Sequence, residues 1–482
     1  MNHVDYASFH SHSQMSLLDG LATIPEYCQR AQELGLRGMG LTDHGSVSGV
    51  FEFINACRNV GIVPVPGCEF YVAPINPEGS FVKGPVFYGP GGSKSGKHDV
   101  SGNGAYLHLT ILAYNEWGLK NLFSLSRSSY DPGRKYVKPR IDFDLIESHN
   151  EGLVVLTGCP SSEISTRFLL GQNKEAYDYA SRLKDVFGSE RMFVEIMDHN
   201  MSHDLEKKLL PLQIKMAKDL NLKLIATNDS HYAYKKDAKH HEEMLCLQSG
   251  AQMKDKRSDD GGRRFAFDGT EYYLKSGEEM LSIFPEDDYP GAISNTELIM
   301  EMASNITVPF DSHLRPVPKI PEAFSSDVEY FKHLIKKGFS ERYGESPQNI
   351  KKEAVQRINY EFEVIHSSDF IGYFLTVRDY LKYANDNFST FDENGNMLAA
   401  ATGVGRGSVG GSIIAYLLNI SELDPIKHDL IFERFLSAGR GHTYEIEYSD
   451  GTKEEVNVSE KRTVNGEEKY IHELSEGDIV ED

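Results

Sequence analysis

Short apolar runs recur through the first half of the chain, and a stretch with helical periodicity separates each from the next. The runs are GMGLT (38–42), IVPVP (62–66), LHLTILAY (107–114), GLVVLTG (152–158), RMFVEI (191–196) and LKLIAT (222–227). Apolar on both faces, they read as buried parallel strands. The segments between them carry helix signals. In 23–35, Thr23 can cap, Pro25 sits in the first turn, Gly35 ends the helix, and Ile24, Tyr27, Cys28, Ala31 and Leu34 share one face. With a first strand near 6–10, seven βα units precede residue 250. Right-handed crossovers that keep stacking helices on one side of a curling sheet predict an α/β fold, a distorted (β/α)7 barrel that is closed or nearly so.

One excursion interrupts the alternation. Residues 78–104, EGSFVKGPVFYGPGGSKSGKHDVSGNG, are crowded with Gly, Pro and Ser and read as a mobile or insertional loop. After 275 the rhythm changes: 275–310 and 327–387 are mostly helical, and RPVPKIPEAF (315–324) reads as a connector. A helix pair joined by HSSDF is followed by a Gly-rich turn, 403–411, and a further helix to about 418. In the tail, YEIEY and EEVNV alternate around SDGT, and KRTV and EKYIHEL around NG, which predicts two hairpins. Three regions result: 1–275, 276–436 and 437–482.

At 482 residues the chain can bury two good-sized cores. No segment approaches the ~20 apolar residues of a membrane span, and the N-terminus has no basic stretch followed by an apolar run, so a cytoplasmic protein with no membrane partner is expected. Five cysteines with no CxxC pair argue against a disulfide framework or zinc ribbon, which leaves His and carboxylates as the main metal ligands. The formal charge of −22 opposes wholesale coating of a phosphate backbone, so nucleic acid would meet local basic elements. The tail after Leu436 carries 13 Asp and Glu against 5 Lys and Arg and reads as solvated surface.

Most of the unusual polar residues fall just after the strands, the end where barrel enzymes keep their chemistry. His10 and His12 come from FHSHS, Asp43 and His44 from TDHG, Glu69 from GCEF, Cys159 from TGC, and Asp229 and His231 from TNDSH; Asp19 lies near the first group. His108 fits less well, because it stands early in its apolar run. Alternate residues on an extended segment point the same way, so HxH and DxH each aim two ligands at one place. Imidazole with carboxylate suits zinc, manganese or iron, and a thiolate favours zinc. Ions a few Å apart can share phosphate oxygens and activate water, so phosphoester hydrolysis is the chemistry expected. Each piece has a plainer reading: a lone HxH is commonly structural, Cys159 could fill a core, and Asp43 could cap the helix at Ser46. Five pieces at one predicted barrel end favour the site.

The run of FHSHS, LTDHG, GCEFYV, YLHLTILA, LTGC and NDSHY resembles the polymerase and histidinol phosphatase (PHP) domain. The resemblance implies a trinuclear site of two to three divalent ions on His10, His12, Asp19, His44, Glu69, His108, Cys159, Asp229 and His231, all present with ligating side chains. Asp43, His44, Asp229 and His231 are the expected catalytic groups.

The segment GVGRGSVGGSIIAYLL (403–418) offers glycine amides, a fork-shaped cation and hydroxyls at a helix start, all suited to phosphate, though without the Lys-Ser or Lys-Thr ending of a Walker loop. Together with RINYEFEVIHSSDFIGYFLTVRDYLKYA (357–384), the continuation to FERFL (436), and LCLQSGAQ through EYYLKSGEEM (245–280), it resembles the C-family replicative polymerases, the alpha subunit of bacterial DNA polymerase III. The resemblance makes 1–275 a PHP phosphoesterase domain and 276–436 a partial α+β palm. It gives Gly405, Arg406, Gly407, Ser408, Gly411 and Ser412 to the triphosphate of an incoming deoxynucleotide. DNA primer-template, a sliding clamp and a proofreading subunit are the implied partners. The family's aspartates after FERFL, which bind two magnesium ions, have no counterpart here. The expectation is that the chain does not polymerise unless a second polypeptide supplies them. The closing ELSEGDIVED resembles the ELxxGD turn of intein-like β folds.

Three functions compete at this point. One is the N-terminal portion of a replicative polymerase with a PHP 3′ to 5′ exonuclease, another a free-standing PHP phosphatase of small esters, and the last a metal-stabilised scaffold without chemistry.

Overall fold

The computed structural model describes residues 4–76, 81–201, 205–304, 306, 308, 316–394, 397–405, 407–436, 443–447, 453–457, 461–464 and 467–470. The chain forms two compact units, Met1–Phe310 and Asp311–Asp482.

The first unit is a curled sheet of eight strands: β1 Ala7–Ser8, β2 Gly38–Leu41, β3 Val63–Val72, β4 Leu107–Ala113, β5 Arg140–Ile141, β6 Leu153–Leu156, β7 Met192–Ile196 and β8 Lys223–Ala226. Their order is β1-β2-β3-β4-β6-β7-β8, with β5 paired to β3. All seven expected strands are present, and helices lie between successive ones except between β3 and β4, where only short helical turns occur. The helix Ile24–Glu33 starts as its sequence predicts, with a capping box between Thr23 and Glu26 and with Ile24, Tyr27, Cys28 and Ala31 buried.

The sheet is not wholly parallel. β4 runs antiparallel to both β3 and β6, with Glu69 opposite Thr110 and Ile111 opposite Val155. A strand buried on both faces shows the same apolar run whichever way it points, so its direction is not written in the pattern. Chain leaving β3 folds across the end of the barrel as residues 81–106 and turns straight back into β4, with no crossover to the other end. This reversal accounts for His108: an early residue of an antiparallel strand lies at the same end as late residues of its parallel neighbours.

The seam between β8 and β1 is closed by single contacts rather than a ladder. Ser11 bridges Ser230, with His12 N donating to Ser230 O (2.8 Å) and Ser230 N to His10 O (3.0 Å). Further along the seam, Ala226 N donates to Ala292 O and Ala7 N to Thr296 Oγ1. Helices Gly277–Ile283 and Thr296–Ala303 therefore belong to this unit, and Met280, Phe284, Ile293, Ile299 and Met300 join its core. The unit extends past residue 275 because these side chains cover the seam.

The second unit packs the helices Asp327–Tyr343, Gln348–Ser367, Ile371–Phe388 and Ile413–Leu417 around Phe331, Leu334, Ile365, Phe374, Ile414 and Phe432. Gly338 allows a backbone crossing, since a Cβ there would meet the carbonyl of Leu417. The tail contains two antiparallel pairs, Thr443–Glu447 with Lys453–Asn457 and Lys461–Val464 with Glu467–Tyr470, as the alternation predicts. ELSEGDIVED and its intein-like turn lie outside the described residues, as does Arg406. Among the described residues no helix is long and apolar enough to cross a membrane. All five cysteines are free.

Candidate metal centre

Strand ends and the loops after them bring the nine expected ligands to one end of the barrel. His10 and His12 are fully buried after β1, in extended backbone that holds both rings on one side. His10 Nε2 lies 3.5 Å from Glu69 Oε1 and 3.3 Å from Asp229 Oδ1; His12 Nε2 lies 3.0 Å from the same Asp229 oxygen. His44 sits between two carboxylates, with Nε2 2.8 Å from Asp19 Oδ2 and Nδ1 2.7 Å from Glu69 Oε2. His108 Nδ1 is 3.1 Å from Glu69 Oε1 and 3.5 Å from Cys159 Sγ. His231 Nε2 closes the ring at 3.6 Å from Asp19 Oδ2. The His12 ring stacks between His44 (4.1 Å) and His231 (4.5 Å).

Short distances here are not satisfied bonds. Six of the buried atoms, His10 Nε2, His12 Nε2, His44 Nδ1, Glu69 Oε2, Asp229 Oδ1 and His231 Nε2, have no hydrogen-bond partner although oppositely charged groups are close. The 2.7 Å approach of His44 Nδ1 to Glu69 Oε2 counts as an ion-pair distance but lacks hydrogen-bond alignment. Lone pairs from separate side chains that converge without meeting donors are what a cation site requires, and leaving such atoms buried would otherwise be costly. Three sets fit an ion within this cluster: His12, His44 and His231; His10, His12 and Glu69; His44, Glu69 and His108. The donor set of imidazole, carboxylate and thiol suits a divalent transition metal.

Electrostatics divide the histidines: His12 favours the neutral ring, whereas the carboxylates around His44 favour a proton that a bound cation would have to displace. Burial lowers His12, and the neighbouring His44 and His231 lower it further, to about 3, so its nitrogen keeps a free lone pair. Burial also works against charge on His44, but Glu69 and Asp19 outweigh it and lift the ring to about 10. Burial beside Glu69 and Asp229 raises the Cys159 thiol well above its ordinary value. Its thiolate therefore requires a cation nearby.

Asp43 stands apart from the cluster. Its oxygens accept from Ser13 N (2.7 Å), Ser13 Oγ (2.9 Å) and Ser16 Oγ (2.7 Å), and Ser16 Oγ in turn accepts from His44 N (3.0 Å). No side-chain cap at Ser46 forms; only the Asp43 carbonyl is near, 3.5 Å from Ser46 N. Burial raises the Asp43 carboxyl to about 6, against the lowering effect of the Ser16 and Ser13 bonds.

Glu195 is a site residue that the sequence reading missed. It is buried at the end of β7, and its Oε1 lies 2.7 Å from His10 Nδ1. Gly158 N (2.9 Å) and Thr227 Oγ1 (2.7 Å) donate to the same carboxylate. The signal was a charged residue inside the apolar run RMFVEI. A cleft of about 770 Å³ opens over the cluster, bordered by Asp19, His44, His108, Cys159, Asp229 and His231.

The expected phosphate loop is only partly available. Ser412 is fully buried and caps the helix Ile413–Leu417, with Ala415 N donating to its hydroxyl (3.1 Å). That hydroxyl donates to Glu361 Oε2 (2.8 Å), while Ile413 N and Ile414 N donate to the Glu361 carboxylate at 3.0 and 3.1 Å. An internal carboxylate thus already occupies the helix N-terminus expected to attract phosphate. Gly411 is packed so that a Cβ would meet the carbonyl of Ile431. Gly405, Gly407 and Ser408 remain exposed.

Residues 8–199 match the family model described as PHP domain, and residues 329–459 the one described as bacterial DNA polymerase III alpha NTPase domain. The second match runs through the first tail hairpin. The DNA polymerase III subunit alpha of Saccharopolyspora erythraea is 38% identical over 94% of this chain and 36% of its own length. That of Mycobacterium tuberculosis is 37% identical over 90% and 34%, and that of Treponema pallidum 36% identical over 91% and 34%. The chain therefore spans about a third of the length of the curated relatives it matches. A solved amidohydrolase from Chromobacterium violaceum overlaps 47% of this chain and 87% of its own, at 14% identity and a TM-score of 0.29. Residues 8–199 are thus a PHP domain and residues 329–459 a DNA polymerase III alpha domain region, the pairing that relates this chain to the DNA polymerase III alpha subunits.

Proposed function

We propose that the first unit hydrolyses phosphodiester bonds at the 3′ end of DNA, and that the chain serves DNA replication as the PHP-bearing portion of a polymerase alpha subunit. The observation that carries this reading is the set of six unpartnered buried lone-pair atoms, drawn from β1, β2, β3 and β8 and the loops after them, around one cleft. Two to three divalent ions, of zinc, manganese or iron, held by His10, His12, Asp19, His44, Glu69, His108, Cys159, Asp229 and His231, would supply an activated water and neutralise phosphate charge.

The protein's own groups position and protect this chemistry. His44, Asp229 and His231 border the cleft and face the reacting phosphate. Asp43 lies behind His44 and acts as a positioning residue, fixing Ser13 and Ser16 and through them the backbone of His44. Asp229 has φ of +39°, a conformation that Asp and Asn tolerate better than most residues. In the second unit, the triphosphate contact proposed for the Gly-rich turn narrows to Gly405, Arg406, Gly407 and Ser408, because Gly411 and Ser412 are committed to packing. Deoxynucleotide and primer-template are its proposed ligands, with magnesium required for polymerisation.

The test is Asp229→Asn, which keeps the backbone preference and removes a charge. Wild type with manganese or zinc should shorten a labelled oligonucleotide from its 3′ end, and the variant should be slower by a factor of at least ~100 while its melting curve persists. A wild type that releases phosphate from small monoesters without shortening DNA would instead identify a phosphatase. A wild type with bound metal and no hydrolysis of either substrate would identify a scaffold.

A further inference from the structure

Residues 81–106, which their composition marks as loose, are tied down by two devices. Arg140 on β5 is fully buried and spends its guanidinium on backbone carbonyls. Its Nη1 donates to Ala105 (2.7 Å), its Nη2 to Lys83 (2.9 Å) and Val82 (3.5 Å), and its Nε to Arg134 (3.1 Å). The second device is Asp99, also buried, which accepts from Tyr88 N (3.1 Å), Ser95 N (2.7 Å) and Ser95 Oγ (2.9 Å). Val86, Tyr88, Val100 and Leu107 form a small core beneath. A cation buried against backbone carbonyls and the rings of Phe81 and Tyr136 is a costly way to hold a loop, so the segment's shape matters to what it borders.

It borders the metal cleft. Lys97 and Tyr106 from this segment line the cleft together with Lys138, whose Nζ lies 5.2 Å from the Tyr71 ring centroid. The Tyr106 ring lies edge-on to Tyr71 and parallel to His108, so it continues the wall of the site. Residues 81–106 contain three lysines and one aspartate, within a chain of formal charge −22. That aspartate is Asp99, turned inward, so the outward face of the segment is cationic. Exposed lysines on a loop are ordinarily just solvated. Of the segment's three, Lys97 lines the mouth of the cleft, where Lys138 joins it, and the cleft of about 770 Å³ has room for more than the one phosphate group at the cluster.

We infer that this strap, with Lys138, is a track for the phosphates of a single-stranded polynucleotide upstream of the one held at the cluster. Lys97 and Lys138 meet the non-bridging oxygens of those neighbouring phosphates, and Tyr106 and Tyr71 offer ring surface between them. Arg140 and Asp99 are positioning residues that hold the strap in register with the cluster. A small ester touches only the cluster, whereas a strand touches cluster and strap together, so the strap makes the site selective for a polymer. The inference rests on the phosphoester reading above.

The test uses the full chain and the double variant Lys97→Ala/Lys138→Ala, which changes one exposed and one half-buried lysine at the edge of the cleft. Hydrolysis of an oligothymidylate is compared with that of bis(p-nitrophenyl) phosphate, a single diester with no neighbouring phosphates. The ratio of the two kcat/KM values should fall at least ~10-fold in the variant, and the salt dependence of oligonucleotide binding should weaken by about 1.4 in log-log slope. An unchanged ratio, or equal losses on both substrates, overturns the strap. Fluorescence anisotropy of labelled oligothymidylate in EDTA reads the strap without any hydrolysis. If wild type cleaves neither substrate, the phosphoester reading fails, and the strap then stands or falls on whether the variant loosens that binding.

Discussion

Glu195 lies directly behind His10, with its Oε1 2.7 Å from His10 Nδ1 and both side chains fully buried. Because Thr227 and Gly158 also donate to this carboxylate, it cannot rotate away. An acceptor fixed at Nδ1 puts the proton there and turns the Nε2 lone pair toward Glu69 and Asp229, the orientation a metal-bound imidazole needs. Glu195→Gln would set an amide N–H against the Gly158 N–H or against His10. Metal affinity, measured by competition with a chelating dye, should fall by about 10- to 100-fold while the metal-free protein melts as before. Unchanged affinity would show that His10 is oriented by something else.

Metal removal should be felt in one unit alone. All nine ligand candidates lie within Met1–Phe310, and the six buried atoms among them that have no hydrogen-bond partner would lose their partner when the ion is stripped. Divalent ion at a hundred times its dissociation constant should stabilise the first unit by about 2.7 kcal/mol. Scanning calorimetry with and without EDTA should therefore move one transition and leave the other in place. A shift of both transitions, or of neither, would count against the assignment.

Glu361 should behave as a structural anchor rather than a ligand-site residue. Its fully buried carboxylate accepts from Ser412 Oγ, Ile413 N and Ile414 N, and Arg357 Nε is 2.9 Å away. Glu361→Ala leaves those donors without an acceptor and should destabilise the second unit by about 3 kcal/mol, read from its unfolding transition in urea. Hydrolysis at the metal centre should not change. A loss below ~1 kcal/mol would mean that water replaces the carboxylate and that the helix start remains open to anions.

Strand positions and the residues that converge at one end of the barrel were legible in the sequence because each depends on a few adjacent residues: an apolar run, then HxH or DxH at its end. Strand direction was not. His108 looked misplaced until the reversal of β4 put the start of that strand beside the ends of β3 and β6. Residues 81–106 carry the composition of a loose loop, yet their order comes from Arg140, far along the chain, and no local pattern reports such a contact. The same holds for Ser412. Its place after a Gly-rich turn suggests a phosphate contact, and only the fold reveals that Glu361 already fills the position.

The pH dependence of the first unit should contain a contribution from Lys275. This side chain is only 3% exposed and donates to Asn228 Oδ1 (2.9 Å) and to the Glu271 carbonyl. Burial pushes its pKa from 10.5 down to about 8, although Glu271 and Glu279 pull the other way. Between those two values the unfolded chain holds a proton that the folded protein has released, so stability must rise with pH across that window. Below about 8 both states are charged and the contribution is flat. The full effect is roughly 3 kcal/mol at most. Lys275→Met removes the titration, so the stability of wild type relative to the variant should climb from pH 8 to pH 10 in chemical denaturation of the first unit. Because the neutral amine still donates to Asn228, the rise reports the cost of burying the charge rather than loss of the bond. A wild-type-minus-variant difference that stays constant over that range would place the ammonium in water, and with it the support that Asn228 gives to the neighbouring Asp229.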